Sequence, residues 1–477
     1  MRHREILYSI SLLLAGMFLC GNSVNAQFYD GLQVEFGKNR VQYRDFVWQY
    51  HTEGNFEIYY YQGGKELAGV IAGIVNSSAQ GLKPYFGSPL EGPIQILVYN
   101  NIAEFRQSNM GVFNGDSEND NIGGTAKIIG NKLFIYGTGD RRRLEQDLKE
   151  GLARIALHQT LYRGDWQDAL RNSSMLQIPD WFEEGLVNYI STHKTAKAKV
   201  HIFDSARSRA LATIDRSEGT EAGELGGAVW DYVADVYGIP AIANVIYMVR
   251  VSRSVEGGFR FATGLGLKDL LSEVINYHLT GTPKLYGELL PSNTGRKNHK
   301  IALKNGGDLG FTLRKRYEYL CFSHSPDGET IAFITDERGQ WRVWTYNIND
   351  DKIERRAQHG HKLDIIKSSL TPTIAWHPNG DQFTYTIIKK GQPMLVTVRL
   401  GEKPVEKELF KIDEVLSMDY SPDGRSIVFS GMSNGRSDLY IYRVIGNLQE
   451  PLWRDRFDDL HPRYTKDGRS IIFSSNR

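Results

Sequence analysis

MDYSPDGRSIVFSG, residues 418–431, decides the fold of the C-terminal third, because the chain writes this stretch four times. The other copies are FSHSPDGETIAFIT (322–335), IAWHPNGDQFTYTI (374–387) and PRYTKDGRSIIFSS (462–475). In each, proline or lysine precedes an Asp-Gly or Asn-Gly pair. Proline presets φ, and the pair closes a tight turn between two strands. The run after the turn alternates β-branched and aromatic residues, the pattern of a half-buried strand. Asp327, Asn379, Asp423 and Asp467 are the equivalent positions, spaced by 52, 44 and 44 residues. That period and content predict propeller blades. WRVWTYN (341–347) and DLYIYRV (438–444) add a further strand to the first and third units. The four turn residues are expected to be structural, since Asp-Gly turns recur wherever strands reverse. The fourth unit stops at Arg477, and an unfinished blade leaves unpaired backbone groups. The sequence is therefore expected to be a fragment of a longer protein, with a small four-bladed ring as the alternative.

Upstream, residues 27–285 alternate strand-like and helix-like segments. FEIYYY (56–61), IQILVYN (94–100) and KLFIYGT (132–138) read as strands. KELAGVIAGIVNSSAQGL (65–82), LGGAVWDYVADVYG (225–238) and LKDLLSEVINYH (267–278) read as helices. In LEQDLKEGLARIALHQ (144–159), Leu144, Leu148, Leu152 and Ile155 recur at helical spacing and define one buried face. The expectation is multidomain: an α+β domain over 27–285, a Gly-, Asn- and Lys-rich linker over 286–310, and an all-β propeller over 311–477, incomplete in this chain.

The first 26 residues read as a signal peptide. Arg2 and Arg4 supply the basic start, SISLLLAGMFLCG the short apolar core, and Val24 and Ala26 the small residues before a cut after Ala26. Lipidation at Cys20 would need a small residue before it, and Leu19 is not small. The processed chain would carry no net charge, so the basic excess of nucleic-acid binders is absent. No later apolar run is long enough to span a bilayer. Cys321 would be its only cysteine, so no internal disulfide can form.

The four repeats resemble the TolB-like propeller family, which implies a periplasmic, partner-binding propeller. The unit with Thr465-Lys466 and the unit with Asn379 depart from the family's S-P-D-G pattern but keep turn chemistry. The N-terminal domain resembles the gluzincin-like peptidases of the MA superfamily, in the form that bacteria with an outer membrane fuse to such propellers. The carriers are FGKNRVQYRDFVWQY (36–50), IQILVYNNIAEF (94–105), IPDWFEEGLVNYIS (178–191) and GGAVWDYVADVYG (226–238).

The active family carries H-E-x-x-H on a helix, two histidines one turn apart for zinc and a glutamate as general base, with a downstream glutamate as third ligand. Carried onto this chain, the third ligand falls on Glu184 and the base on Glu150, but the histidine positions fall on Lys149 and Ala153. One carboxylate cannot hold catalytic zinc, and a protonated lysine has no lone pair. Lys149 is expected to pair with Glu150 or Glu184. His158 faces elsewhere on the helix, as a helix-end residue favoured by the dipole. His193 and His201 have no spacing that pairs them with Glu184, and HGH (359–361) reads as a solvated loop. Glu184 also fits a plain helix start, with Asp180 near the cap and Trp181, Leu186 and Tyr189 packing inward. No metal and no cofactor are expected.

The resemblance thus implies a catalytically inactive, periplasmic binding or scaffold protein with envelope-protein partners, serving outer-membrane biogenesis or protein secretion. The alternatives are an active zinc metallopeptidase with non-standard ligands, and a propeller-gated serine hydrolase. The second alternative would need a G-x-S-x-G elbow that this sequence lacks.

Overall fold

The computed structural model describes residues 42, 44–105, 107–108, 131–162, 178–192, 196–207, 210–280, 318–337, 340–360, 372–389 and 391–477. The expected signal peptide (1–26), linker (286–310), His193 and His361 lie outside the described residues, and the side chain of His201 is not described. An α+β region is followed by a region of antiparallel sheets.

The first region begins with a four-stranded sheet in sequence order: β1 (Gln49–Glu53), β2 (Phe56–Tyr60), β3 (Ile94–Tyr99) and β4 (Lys132–Tyr136). β1 and β2 are antiparallel, while β2–β3 and β3–β4 are parallel. Parallel strands need crossover connections and are covered on both faces. Accordingly Ile94, Ile96 and Val98 join one core, whereas Leu97 and Tyr99 join a second with Phe134 and Tyr136. Phe46 and Trp48 cover that second face, Trp48 standing edge-on to Tyr61 and Tyr99.

The other face packs on helices α1 (Lys65–Phe86) and α3 (Arg141–Tyr162); α2 (Ile102–Phe105) is a single turn. Six further helices complete the layer: α4 (Asp180–Thr192), α5 (Ala196–Arg207), α6 (Gly219–Tyr237), α7 (Ile239–Ser252), α8 (Val255–Thr263) and α9 (Leu267–Thr280). Leu144, Leu148, Leu152 and Ile155 are all buried, the face their spacing requires.

α4 and α6 touch backbone to backbone. A Cβ on Gly185 would stand 2.4 Å from Gly226 Cα, and one on Gly226 only 1.8 Å from the Trp181 carbonyl oxygen. This contact gives the glycine of WFEEG a packing reason. Trp181 and Phe182 are then fully buried against Trp230 and Phe259. No single described helix is long and apolar enough to cross a membrane; α6 and α7 together pass by composition, but they bend by 119°.

The second region is three successive four-stranded antiparallel meanders followed by a two-stranded pair. They are β5 (Glu318–His324) to β8 (Lys352–His359), β9 (Ile374–Trp376) to β12 (Val405–Glu408), β13 (Glu414–Tyr420) to β16 (Leu448–Pro451), and the pair β17 (Asp459–Tyr464) and β18 (Ile471–Ser475). The intervening strands are β6 (Thr330–Glu337), β7 (Gln340–Asn347), β10 (Gln382–Lys389), β11 (Gln392–Arg399), β14 (Ser426–Ser433) and β15 (Arg436–Arg443). The first strand of each sheet neighbours that of the next. Apolar residues interleave between sheets, as with Ile334 and Val343 against Phe383 and Val396. His359 is the last residue of β8, and its Nε2 lies 2.6 Å from the Tyr385 hydroxyl, so it is not the solvated loop residue expected. Burial pushes its imidazole below the usual range. Burial pushes the Cys321 thiol up to about 12, which disfavours its thiolate.

One hairpin joins the two regions. Its turn is Asn434-Gly435, with φ of 51° and 80°, the positive pair that a type I′ turn requires. The tip seats against the junction between β4 and α3. A Cβ on Gly137 would meet Gly435 Cα at 2.5 Å, and Ser437 Oγ donates to the Gly139 carbonyl at 2.6 Å. The Arg141 amide donates to Asp458 Oδ2 at 2.9 Å, and Arg436 pairs with Glu66 at 3.2 Å.

Candidate functional site

Asp140 opens α3, its Oδ1 accepting the Arg142 amide at 2.9 Å. One polar stripe then runs along the helix. Asp147, Glu150, Arg154 and His158 fall at i, i+3, i+7 and i+11, on the side facing α4. From α4, Glu183 and Glu184 answer them, displayed in the first turns where the helix dipole favours negative charge.

The centre is an arginine between two carboxylates. Arg154 grips both oxygens of Glu184, through Nη1 on Oε1 and through Nη2 on Oε2 at 2.9 Å. Its Nη2 also reaches Glu150 Oε1 at 3.4 Å. Two parallel N–H···O bonds to one carboxylate are the strong, orienting form of this pair. Burial works against the guanidinium charge, but the bonds and charge of Glu184, with the charges of Glu150 and Glu183, outweigh it and hold the proton more tightly than usual. Next along the stripe, His158 Nε2 lies 2.6 Å from Glu183 Oε1. Burial alone would raise Glu183; the His158 bond and charge and the Arg154 charge overcome it and hold the carboxyl below its usual range.

Two expectations fail, those for Lys149 and His158. Lys149 is exposed and does not join Glu150 to Glu184; Arg154 does. Ala153 points into the apolar core with no exposed surface. His158 is not a helix-end residue but sits inside α3, paired to Glu183. For His158 the reason is length, since α3 runs on to Tyr162; for the other two it is rotation. Residues 149 and 153 lie about 100° round the helix from 150 and 154, so only the latter pair can meet Glu184. Arg154 went unremarked in the sequence because its role depends on a partner thirty residues away. The available signal was that Glu150 and Arg154 are themselves spaced i, i+4.

Zinc does not suit this donor set. Glu150 and Glu184 offer oxygens, but no histidine joins them, and both oxygens of Glu184 are engaged by a cation. Among the described residues no group of three His, Cys, Asp or Glu side chains is placed to hold a metal ion.

The repeat turns are a separate constellation. Ser325, Ser421 and Thr465 donate their hydroxyls to Asp327, Asp423 and Asp467, the last two at 2.6 Å. In the second unit His377 Nδ1 lies 2.6 Å from Asn379 Oδ1 instead. Each acceptor also takes the backbone amide two residues on, Glu329, Asp381, Arg425 or Arg469, at 2.9 to 3.3 Å. The following glycines all have φ between 69° and 77°. These bonds, the hydroxyl first, hold the three aspartates below the usual carboxylate range.

No family model matches the chain. It is 28% identical over 160 residues, 32% of the chain and 21% of the relative, to the uncharacterized peptidase YuxL of Bacillus subtilis. It is 26% identical over 134 residues to the Tol-Pal system protein TolB of Anaeromyxobacter dehalogenans, covering 28% of the chain and 29% of that protein. It is 25% identical over 164 residues to the TolB homolog of Chlorobium chlorochromatii, covering 34% of each. The chain thus spans about a fifth to a third of the length of these curated relatives. Among solved structures, TolB from Acinetobacter baumannii superposes with a TM-score of 0.30 and 18% identity, over 43% of this chain and 52% of that one. A prolyl endopeptidase gives 0.27 and 15%, over 34% and 27%. Superpositions this partial carry no functional argument. The sequence matches do give the chain homology to TolB-like β-propellers.

Proposed function

We propose that this protein is a binding or scaffold protein of the cell envelope, acting in the periplasm or on the periplasmic face of the outer membrane. On this reading, residues 27–285 form a catalytically inactive, gluzincin-like peptidase domain, 286–310 a linker, and 311–477 a protein-binding propeller. Its partners are envelope proteins, in outer-membrane biogenesis or protein secretion. The TolB relatives, one named for the Tol-Pal system, support the location and the partner class.

The observation that carries the inactive reading is the Arg154 guanidinium held between Glu150 and Glu184. A metallopeptidase needs a divalent cation there to lower the pKa of bound water to about 7. A guanidinium satisfies the same carboxylates but cannot bind or activate water as a Lewis acid. The helix turn that would display two histidines in an active relative corresponds, on this reading, to Glu150 and Arg154 rather than to Lys149 and Ala153.

Metal content and proteolysis test this together. The full chain from zinc-supplemented culture is expected to emerge from gel filtration without stoichiometric zinc, and Glu184→Gln is expected to change no peptidase activity. Stoichiometric zinc, with peptide cleavage abolished by Glu184→Gln, would overturn the reading. Site-specific cross-linking in the envelope tests the partner class: a protein captured from the propeller turns is expected, and no capture above background contradicts a scaffold role.

A further inference from the structure

Asp147 lies on the polar stripe of α3 and is more than nine-tenths buried, and its Oδ2 has no hydrogen-bond partner among the described residues. Leaving a buried carboxylate oxygen unsatisfied is costly, and native proteins leave few such atoms. The residue stands one turn before Glu150 and two before Arg154, so its side chain shares their face toward α4.

Arg143 is exposed; Glu150 and Asp140 are the nearby acids on the same helix and its cap; Glu183 and Glu184 face the stripe from α4, held by His158 and Arg154. The described side chains of this face therefore number five carboxylates against Arg154, Arg143 and His158. Burial first, then Glu150 and Asp140, push Asp147 up to about 7 against the pull of Arg143, which marks a position lacking its counter-ion.

We propose that Asp147, beside Glu150, binds a primary ammonium group carried by a peptide, from a lysine side chain or a free N-terminus. This goes beyond the proposed scaffold function by giving the α3–α4 face a ligand of its own, and it rests on the reading of that face as an inactive, metal-free site. An ammonium is a compact point charge with three donors, so it can satisfy Asp147 Oδ2 and still share Glu150 with Arg154. A divalent metal would need a third donor, and none is placed for it among the described residues.

Calorimetric titration of the full chain at pH 7.5 with three probes tests this. Nα-acetyl-lysine methylamide presents a side-chain ammonium, leucine amide an N-terminal one, and Nα-acetyl-norleucine methylamide neither. At least one ammonium probe is expected to bind at least tenfold more tightly than the norleucine probe, and the tighter one identifies the source. Asp147→Asn is expected to abolish that preference. Arg143→Met, which removes a competing cation from the surface, is expected to strengthen binding about threefold and keeps the test open if Asp147→Asn does not fold. Equal binding of all three probes, no binding by either ammonium probe, or unchanged binding by Asp147→Asn would overturn the inference. A zinc-free chain that binds neither ammonium would sink this inference alone; a zinc-loaded, cleaving chain would sink the reading beneath it.

Discussion

The turns of the β-sheets and the polar stripe between α3 and α4 are both sets of carboxylates meeting donors, yet they are built on opposite scales. In each turn, Asp327, Asn379, Asp423 or Asp467 finds its partners within two residues along the chain. In the stripe, Glu184 finds Arg154 thirty residues away, on another helix. Local partners make a motif that sequence alone can read. Distant partners make a site whose members depend on how two helices are rotated, and a shift of one residue, 100° round the helix, exchanges core, polar stripe and solvent.

Removing the constraint that fixes that rotation should have the largest effect. Gly226→Ala places a methyl 1.8 Å from the Trp181 carbonyl oxygen, where backbone meets backbone and neither can yield. We expect a loss of about 3 kcal/mol or more in chemical denaturation. A near-neutral result would mean that the α4–α6 contact does not set the orientation of Glu184.

Arg154→Met should come next. It leaves Glu150 and Glu184, each about a third exposed, facing one another without a cation. The loss should be about 2 kcal/mol, below the ~3–5 kcal/mol of a fully buried pair because water reaches both acids. Lys149→Met, on the exposed side of the same helix, should stay within about 0.5 kcal/mol. If the two variants behaved alike, the rotation described here would be wrong.

A pH series sharpens the contrast further. Burial first pushes Asp147 up to about 7 and Asp458 up to about 6. Both values lie above the ~3.9 of an unfolded aspartate, so the folded chain binds more protons across that window. Their contribution to stability is then whole below about pH 4 and is lost as pH rises toward 6 to 7. Melting curves should show this decline, and Asp147→Asn should flatten it and melt higher than the wild type at pH 8. The turn aspartates carry the opposite sign: held low by hydroxyl and amide donors, they lose their contribution as pH falls below 4. Asp423→Ala should give the smallest shift, about 2 °C or less in Tm, because its turn is exposed and its loss is local.

These scales also explain what the sequence disclosed. Four repeats gave the strands, turns and antiparallel pairing directly, since alternation and Asp-Gly turns report local conformation. The buried face Leu144, Leu148, Leu152 and Ile155 was equally legible, because apolar spacing alone defines it. Which polar residues face α4 was not legible from the motif template: matched to H-E-x-x-H, Glu150 fell on the base position, whereas the fold turns Glu150 and Arg154 together toward Glu184. The insertion of the Asn434-Gly435 hairpin beside the start of α3 was also beyond reach, because nothing in either segment announces the other.

Zinc titration of two rebuilt helices tests the central claim most directly. K149H/A153H completes H-E-x-x-H at the motif-matched register, with Glu150 as the intervening acid. E150H/G151E/R154H completes it on the face that meets Glu184. The account predicts about one tightly held zinc per chain for E150H/G151E/R154H, lost on adding Glu184→Gln, and none for K149H/A153H, whose new histidines point to solvent and core. Stoichiometric, Glu184-dependent zinc in K149H/A153H alone would contradict it.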